Sequence, residues 1–296
     1  MKIPDKYKGI VYIILSALSF AFMNAFVRLS GDLPAFQKSF SRNFIAFFFA
    51  LIVILRKKEG FKIPKGNFKY LFLRSLIGTL GILGNFYAID HLVLSDASML
   101  NKMSPFFAII FSFIIIREKL SFLQGFCVAG AFVGSLFIIK PTFTNMDLVA
   151  STAGFLGGAC AGFAYTMVRI LGKRGQSGSF IVLFFSGFSC LFTLPFMIAT
   201  FEPMTLKQTL CLLGAGLAAT GGQFGITNAY CYAPAKEVSV YDYTQIIFSA
   251  ILGYFLFTQI PDAYSILGYI LIIAMAILMF LYNNKKWIFK SSSSQS

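Results

Sequence analysis

The spacing of charged residues constrains this chain more than any other feature. Uncharged stretches cover residues 9–27, 120–139, 148–168, 175–201, 208–235, 243–261 and 263–284. Each is close to the roughly 20 apolar residues a helix needs to cross a hydrocarbon layer about 30 Å thick. Three further stretches, 35–55, 70–89 and 95–116, have the same length but each carries a cation well inside it: Arg42, Arg74 or Lys102. Counting these as spans predicts an all-α, polytopic membrane protein with ten transmembrane helices. A soluble helical protein would show polar faces on most of its helices, and here 57% of residues are hydrophobic and only 12% charged.

The net charge of +14 does not point to nucleic acid, because no soluble face gathers the cations. Most of the 25 Lys and Arg instead fall in the tail and loops that share one side, including Lys2, Lys6, Lys8, the 56–69 loop, Lys173, Arg174, Lys285, Lys286 and Lys290. Lys38, Lys140 and Lys207 are assigned to outer loops. Positive residues are retained inside, so both termini are expected in the cytoplasm, with the protein in a bacterial cytoplasmic (inner) membrane. The first apolar run lacks a small-residue cleavage site and is read as a retained span. Cys127, Cys160, Cys190, Cys211 and Cys231 lie within spans without C-x-x-C spacing, and imply neither disulfide nor metal. The serine-rich residues 291–296 are expected to be a disordered tail.

Sliding the sequence by 141 positions aligns Phe22 with Phe163, Val27 with Val168, Arg28 with Arg169 and Gly31 with Gly172. The same ungapped register aligns Thr79 with Thr220, Gly81 with Gly222, Gly84 with Gly225, Ala88 with Ala229, Ser98 with Ser239 and Phe107 with Phe248. The chain therefore divides into repeats at 1–140 and 141–290, five spans each. An odd number of crossings starts the second repeat on the opposite side, so the repeats are inverted, a recurring construction of secondary transporters. Glycine and alanine recur along these helices, at 81, 84 and 88, at 222, 225 and 229, and at 154, 158 and 162. Such stripes let helices approach closely in lipid.

Polar groups inside hydrocarbon are costly and therefore candidates for function. Ser98, Asn101, Ser104 and Ala108 share one helical face, and the offset maps them onto Ser239, Asp242, Gln245 and Ser249, so the polar stripe is itself duplicated. Asp242, flanked by Tyr241 and Tyr243, can bind a substrate amine, carry a coupling proton, or form a structural ion pair with Lys102 or an arginine. Lys102 in turn can attract a substrate carboxylate or neutralise Asp242. Pro105 removes a backbone hydrogen bond and kinks its helix. Asn24 with Arg28, and Tyr165 with Arg169, each lie four residues apart, the arginines reading as snorkelling anchors or gate pairs. Asn85 and the face of Thr220, Gln223 and Thr227 are cavity candidates. Arg42 and Arg74 read first as snorkelling cations; if they reach the cavity instead, an anionic or zwitterionic solute is favoured. The seventh span shows no polar face, and with the fifth and tenth it is expected at the periphery. His91 reads as a solvated loop residue.

The candidate substrate-binding set is thus Asn24, Asn101, Lys102, Ser104, Tyr165, Gln223, Tyr241, Asp242 and Gln245. Gating or charge-pair candidates are Arg28, Arg42, Arg74 and Arg169. No cofactor is called for, and no phosphate-binding G-x-x-x-x-G-K loop is present. The expected partners are a small-molecule substrate, the lipid bilayer, and a coupling proton or counter-substrate. The alternatives are a channel or a membrane-embedded enzyme.

With its five-plus-five duplication, Pro105 followed by Arg117, Glu118 and Lys119, and the segment 241–245 running to Phe257 and Pro261, the chain resembles the drug/metabolite transporter superfamily, specifically its EamA-type ten-helix members. It departs from them at Gln259, where the family often carries an acid. The resemblance implies a transporter of small organic solutes with a central cavity between the halves.

Overall fold

A computed structural model describes residues 5–58, 60–117, 121–139, 147–233, 238 and 241–292. Among them every regular element is helical. Helices α1 (Asp5–Leu29), α2 (Ala35–Lys57) and α3 (Phe68–His91) are followed by a broken rod. That rod is α4 (Leu94–Asn101), then α5 (Ser104–Phe111), which runs into a π-helical turn over Ser112–Ile116. Next come α6 (Phe122–Ile139), α7 (Leu148–Lys173), α8 (Gly178–Ala199), α9 (Leu206–Tyr232), α10 (Thr244–Phe257) and α11 (Ala263–Ser292). Ser239, Glu118, Lys119 and residues 293–296, all used in the sequence reading, lie outside the described residues. Because α11 continues through Ser292, the expected tail does not begin at residue 291.

Local chemistry sets the boundaries. Gly31, at φ 70°, turns the chain after α1, and Pro34 precedes the first turn of α2. Thr205 and Gln208 form a reciprocal capping box at the start of α9, and Ser177 accepts the Phe180 N–H at the start of α8. The break in the fourth rod falls at Lys102–Met103, immediately before Pro105, whose missing N–H leaves a carbonyl without its helical partner.

Eight of these segments, counting Asp96–Ile116 as one, are long and apolar enough to cross a membrane. Two shorter apolar helices, Gly125–Gly134 within α6 and Thr244–Phe257, stand where the fifth and ninth spans were expected. The molecule is inside out relative to a soluble protein. Phe48, Leu191, Leu217 and Phe255 are exposed, while Arg42, Arg74, Asn43 and Asp242 are buried. Apolar surface on this scale suits lipid.

The packing exchanges partners between the repeats. Helix α1 packs on α9 and α3 packs on α7, while α2 faces α8 and α6 faces α11. The small-residue stripes make the closest approaches. A methyl group at Gly84 would sit 2.7 Å from the Ala153 carbonyl oxygen, and one at Gly225 would sit 2.8 Å from that of Tyr12. Both members of this pair of contacts are displaced by 141 residues. Gly158 and Gly162 bring α7 against the carbonyls of Leu100 and Ser104, beside the break.

Two placements correct the sequence reading. Lys38 is not in an outer loop but in the first turn of α2, fully buried, with its Nζ 2.6 Å from Asp90 Oδ1. Helix α8 is not apolar on every face: Ser179, Ser186, Ser189 and Thr193 are all buried, and Ser189 accepts a hydrogen bond from Asn43 of α2. Its phenylalanines mask this hydroxyl stripe in any average over the helix. His91 is the last residue of α3, exposed, with its ring against Tyr87.

Candidate functional site

A cavity opens where α1, α2, α3, α7, α8 and α9 meet the break of the fourth rod and the start of the ninth rod, α10. About 60 Å³ within it admits the centre of a water molecule, room for a few waters. Among the described residues neither α6 nor α11 contributes to its wall.

Eight of the thirteen candidate residues line it: Asn24, Arg42, Arg74, Asn101, Lys102, Tyr165, Gln223 and Gln245. Asn85 lines it as well, whereas Thr220 and Thr227 are buried elsewhere on α9. Arg42 and Arg74 do not snorkel. The two residues are 1% and 2% exposed, because each lies on the interior face of its helix and its guanidinium finds partners there. The Arg42 Nε–H points to the Met23 sulfur at 3.2 Å, and its Nη1 donates to Asn43 Oδ1 at 3.1 Å. The Arg74 Nη2 donates to Gln223 Oε1 at 3.0 Å, and its guanidinium lies 3.8 Å from the Phe185 ring centre.

Lys102 and Asp242 form the buried pair that was one of their two readings, Nζ to Oδ2 at 2.7 Å. Asp242 is fully buried behind the wall, and its Oδ1 accepts no hydrogen bond. The Tyr243 hydroxyl donates to the Lys102 carbonyl at 3.0 Å, so the broken fourth rod and the start of the ninth are joined twice at one level. Above them Asn24 donates to Ser98, and Ser98 to Ser249. Tyr165 stacks on Tyr230 with ring centres 5.0 Å apart.

The remaining candidates lie off the cavity. Ser104 is buried and its Oγ has no partner, and Tyr241 packs edge-on against Phe280. Arg28 donates to the carbonyls of Ile89 and Leu92, and Arg169 to those of Tyr230 and Cys231, so both bind the ends of neighbouring helices. Neither arginine is in an ion pair among the described residues. Among the wall residues that escaped the sequence reading, two shape the place of Arg74. Phe185 sat in the supposedly featureless seventh span. Gly78, four residues after Arg74, is where the guanidinium lies: an added methyl would come within 2.5 Å of Nη1.

This arrangement, two pseudo-equivalent bundles around a polar cavity, matches known proteins. The profile of the EamA-like transporter family matches twice, over residues 7–140 and 150–281. The chain belongs to the EamA-like transporter family. It is a membrane transporter built of two repeated domains, and the resemblance read from the sequence holds. Among relatives of this EamA protein, the Pseudomonas aeruginosa pseudopaline exporter CntI is 32% identical over 92% of this chain and 95% of its own. A Helicobacter pylori protein named an uncharacterized transporter is 29% identical over 92% and 94%. Human solute carrier family 35 member G1 is 26% identical over 92% of this chain and 79% of its own. A crystal structure with 14% identity superposes with a TM-score of 0.68 over 94% of this chain and 98% of that one, sharing the fold.

Proposed function

We propose that this EamA-family protein is a secondary transporter that moves a small polar organic metabolite by alternating access through the cavity between its halves. The observation that carries this reading is the polar cavity at the junction of the two repeats, walled by both and ringed by unused hydrogen-bonding capacity. Asn24 Oδ1, Asn85 Oδ1, Gln245 Oε1 and Arg74 Nε are buried there without partners. Buried polar atoms are normally satisfied, so these atoms suit a polar solute that supplies both donors and acceptors.

In this reading α6 and α10 complete ten crossings, the repeats 1–140 and 141–290 are inverted, and both termini are cytoplasmic. Arg42 and Arg74 then favour an anionic or zwitterionic solute. The name of the pseudopaline exporter supports outward movement of the metabolite. The test is exchange in proteoliposomes: vesicles preloaded with a metabolite pool should accumulate a labelled member of one class among amino-acid-like compounds, nucleosides and organic anions. Solute-independent conductance with no exchange in any class would return the channel reading.

A further inference from the structure

Two kinds of buried cation coexist in this protein. Among the described residues, the two buried lysines each hold a carboxylate: Lys38 with Asp90 at 2.6 Å and Lys102 with Asp242 at 2.7 Å. Among the described residues the two buried arginines at the cavity have only neutral hydrogen-bonding and stacking partners. Arg42 meets a thioether and an amide, and Arg74 meets an amide and an aromatic face. Leaving an ionised group in a low-dielectric interior without a counter-charge costs several kcal/mol per ion, and two like charges facing one cavity add repulsion. The rest of the chain shows how its buried lysines avoid that cost.

The Arg74 side chain is also held in place before anything binds. Gly78 leaves room for it, Phe185 supports its plane and Gln223 fixes Nη2, while Nε stays unpartnered at the cavity wall. Among the described residues three cations, Arg42, Arg74 and Lys102, line the cavity, and the carboxylate of Asp242 behind the wall neutralises Lys102 alone, which leaves two positive charges.

From this charge count we propose that the cavity is a dianion site, with Arg42 and Arg74 the residues that neutralise a ligand carrying two negative charges. The ligand's negative groups are carboxylates or a phosphoryl group, since guanidinium matches both. This rests on the transport reading and narrows its substrate class. Arg42 and Arg74 both come from the first repeat. The positions 141 residues on are Leu183 and Ala215, so the ligand binds with its charge toward one half.

Binding to the purified full-length protein in detergent tests the site separately from transport. Thermal unfolding is followed with malate, inorganic phosphate, lactate and putrescine as probes. Malate or phosphate should raise the melting temperature in a saturable way, and whichever acts at lower concentration tells carboxylate from phosphoryl. Lactate should bind at least roughly tenfold more weakly, since it lacks one charge. Arg42→Gln and Arg74→Gln should each weaken the dianion by roughly 30-fold or more. Without ligand, both variants should melt at or above the wild-type temperature, because an uncompensated charge has gone. Variants that melt lower or fail to fold would make the arginines structural and overturn the proposal. So would lactate or putrescine acting as well as the dianions. Dianion binding without exchange in vesicles removes the transport reading and keeps the site; exchange of a cation or neutral solute with no dianion binding does the reverse.

Discussion

In the first half Arg28 donates to the carbonyl of Ile89, and in the second half Arg169 donates to the carbonyl of Tyr230, the same bond moved by 141 residues. Gly84 against Ala153 and Gly225 against Tyr12 repeat one another in the same way. So do the left-handed residues that end the fourth and ninth rods, Arg117 at φ 58° and Thr258 at φ 52°. The cavity wall does not repeat. The counterparts of Arg42, Arg74 and Lys102 are Leu183, Ala215 and Tyr243, and that of Ile82 is Gln223. The halves agree where helix ends need donors and backbones need to approach, and they differ where side chains face the cavity. Under the proposed alternating access, a symmetric frame would supply two equivalent halves and an asymmetric lining would make the site specific.

The largest test of that difference is the pair joining the break of the fourth rod to the start of the ninth. Asp242→Asn leaves Lys102 buried without a counter-charge, which costs about 3–5 kcal/mol, so the melting temperature and the yield of folded protein should fall. Adding Lys102→Gln should restore most of the loss, because two neutral amides can hydrogen-bond across the same gap. A single variant as stable as wild type would show that Asp242 is dispensable for the frame and would return it to the candidates that act on the solute.

Much of this frame was legible in the sequence. Charge spacing located the spans because an unpaired charge in hydrocarbon is costly enough to leave a gap in the composition. The 141-residue register located the repeat, and the stripe of Asn101, Asp242 and Gln245 located the level of the cavity. Arg42 and Arg74 were ambiguous, because helical periodicity fixes the angle of a side chain but not its depth or its neighbours. Lys38 was assigned to a loop, since nothing local signals a partner 52 residues away. Phe185 and Gly78 were missed because their roles exist only around the folded Arg74. The hydroxyl face of α8 was missed because serine and threonine among phenylalanines barely change the average polarity.

The repeated contacts predict equal consequences. Gly84→Ala and Gly225→Ala each place a methyl group less than 3 Å from a backbone oxygen, at 2.7 and 2.8 Å. Backbone cannot rotate aside, so each should cost about 1–3 kcal/mol. Thermal or denaturant unfolding of the two variants should give values within about 0.5 kcal/mol of one another, the tolerance within which independent sites add. A large effect in one half alone would mean that the frame is as asymmetric as the lining.

The smallest expected effect concerns the two ends of the molecule. Gln37, in the first turn of α2, donates through Nε2 to the Glu202 carbonyl at 2.9 Å and accepts the Glu202 N–H at 3.1 Å. It therefore holds the loop between α8 and α9 from the other half. Gln176, just before α8, holds the loop between α2 and α3 in return, donating to the Lys62 carbonyl and accepting from Asn67, both at 3.5 Å. The two glutamines do the same task at opposite ends of the bundle, but the bonds of Gln176 lie at the edge of hydrogen-bonding distance. A good hydrogen bond contributes about 0.5–1.5 kcal/mol. Gln37→Ala should therefore raise amide exchange at Glu202 roughly tenfold, while Gln176→Ala should change exchange across 62–67 by about twofold or less. Hydrogen exchange read by mass spectrometry separates the two outcomes. Unequal responses in this order mean that the end held by Gln176 is the looser of the two. Equal responses would make the difference in bond length immaterial and leave the two ends as equivalent as the frame around them.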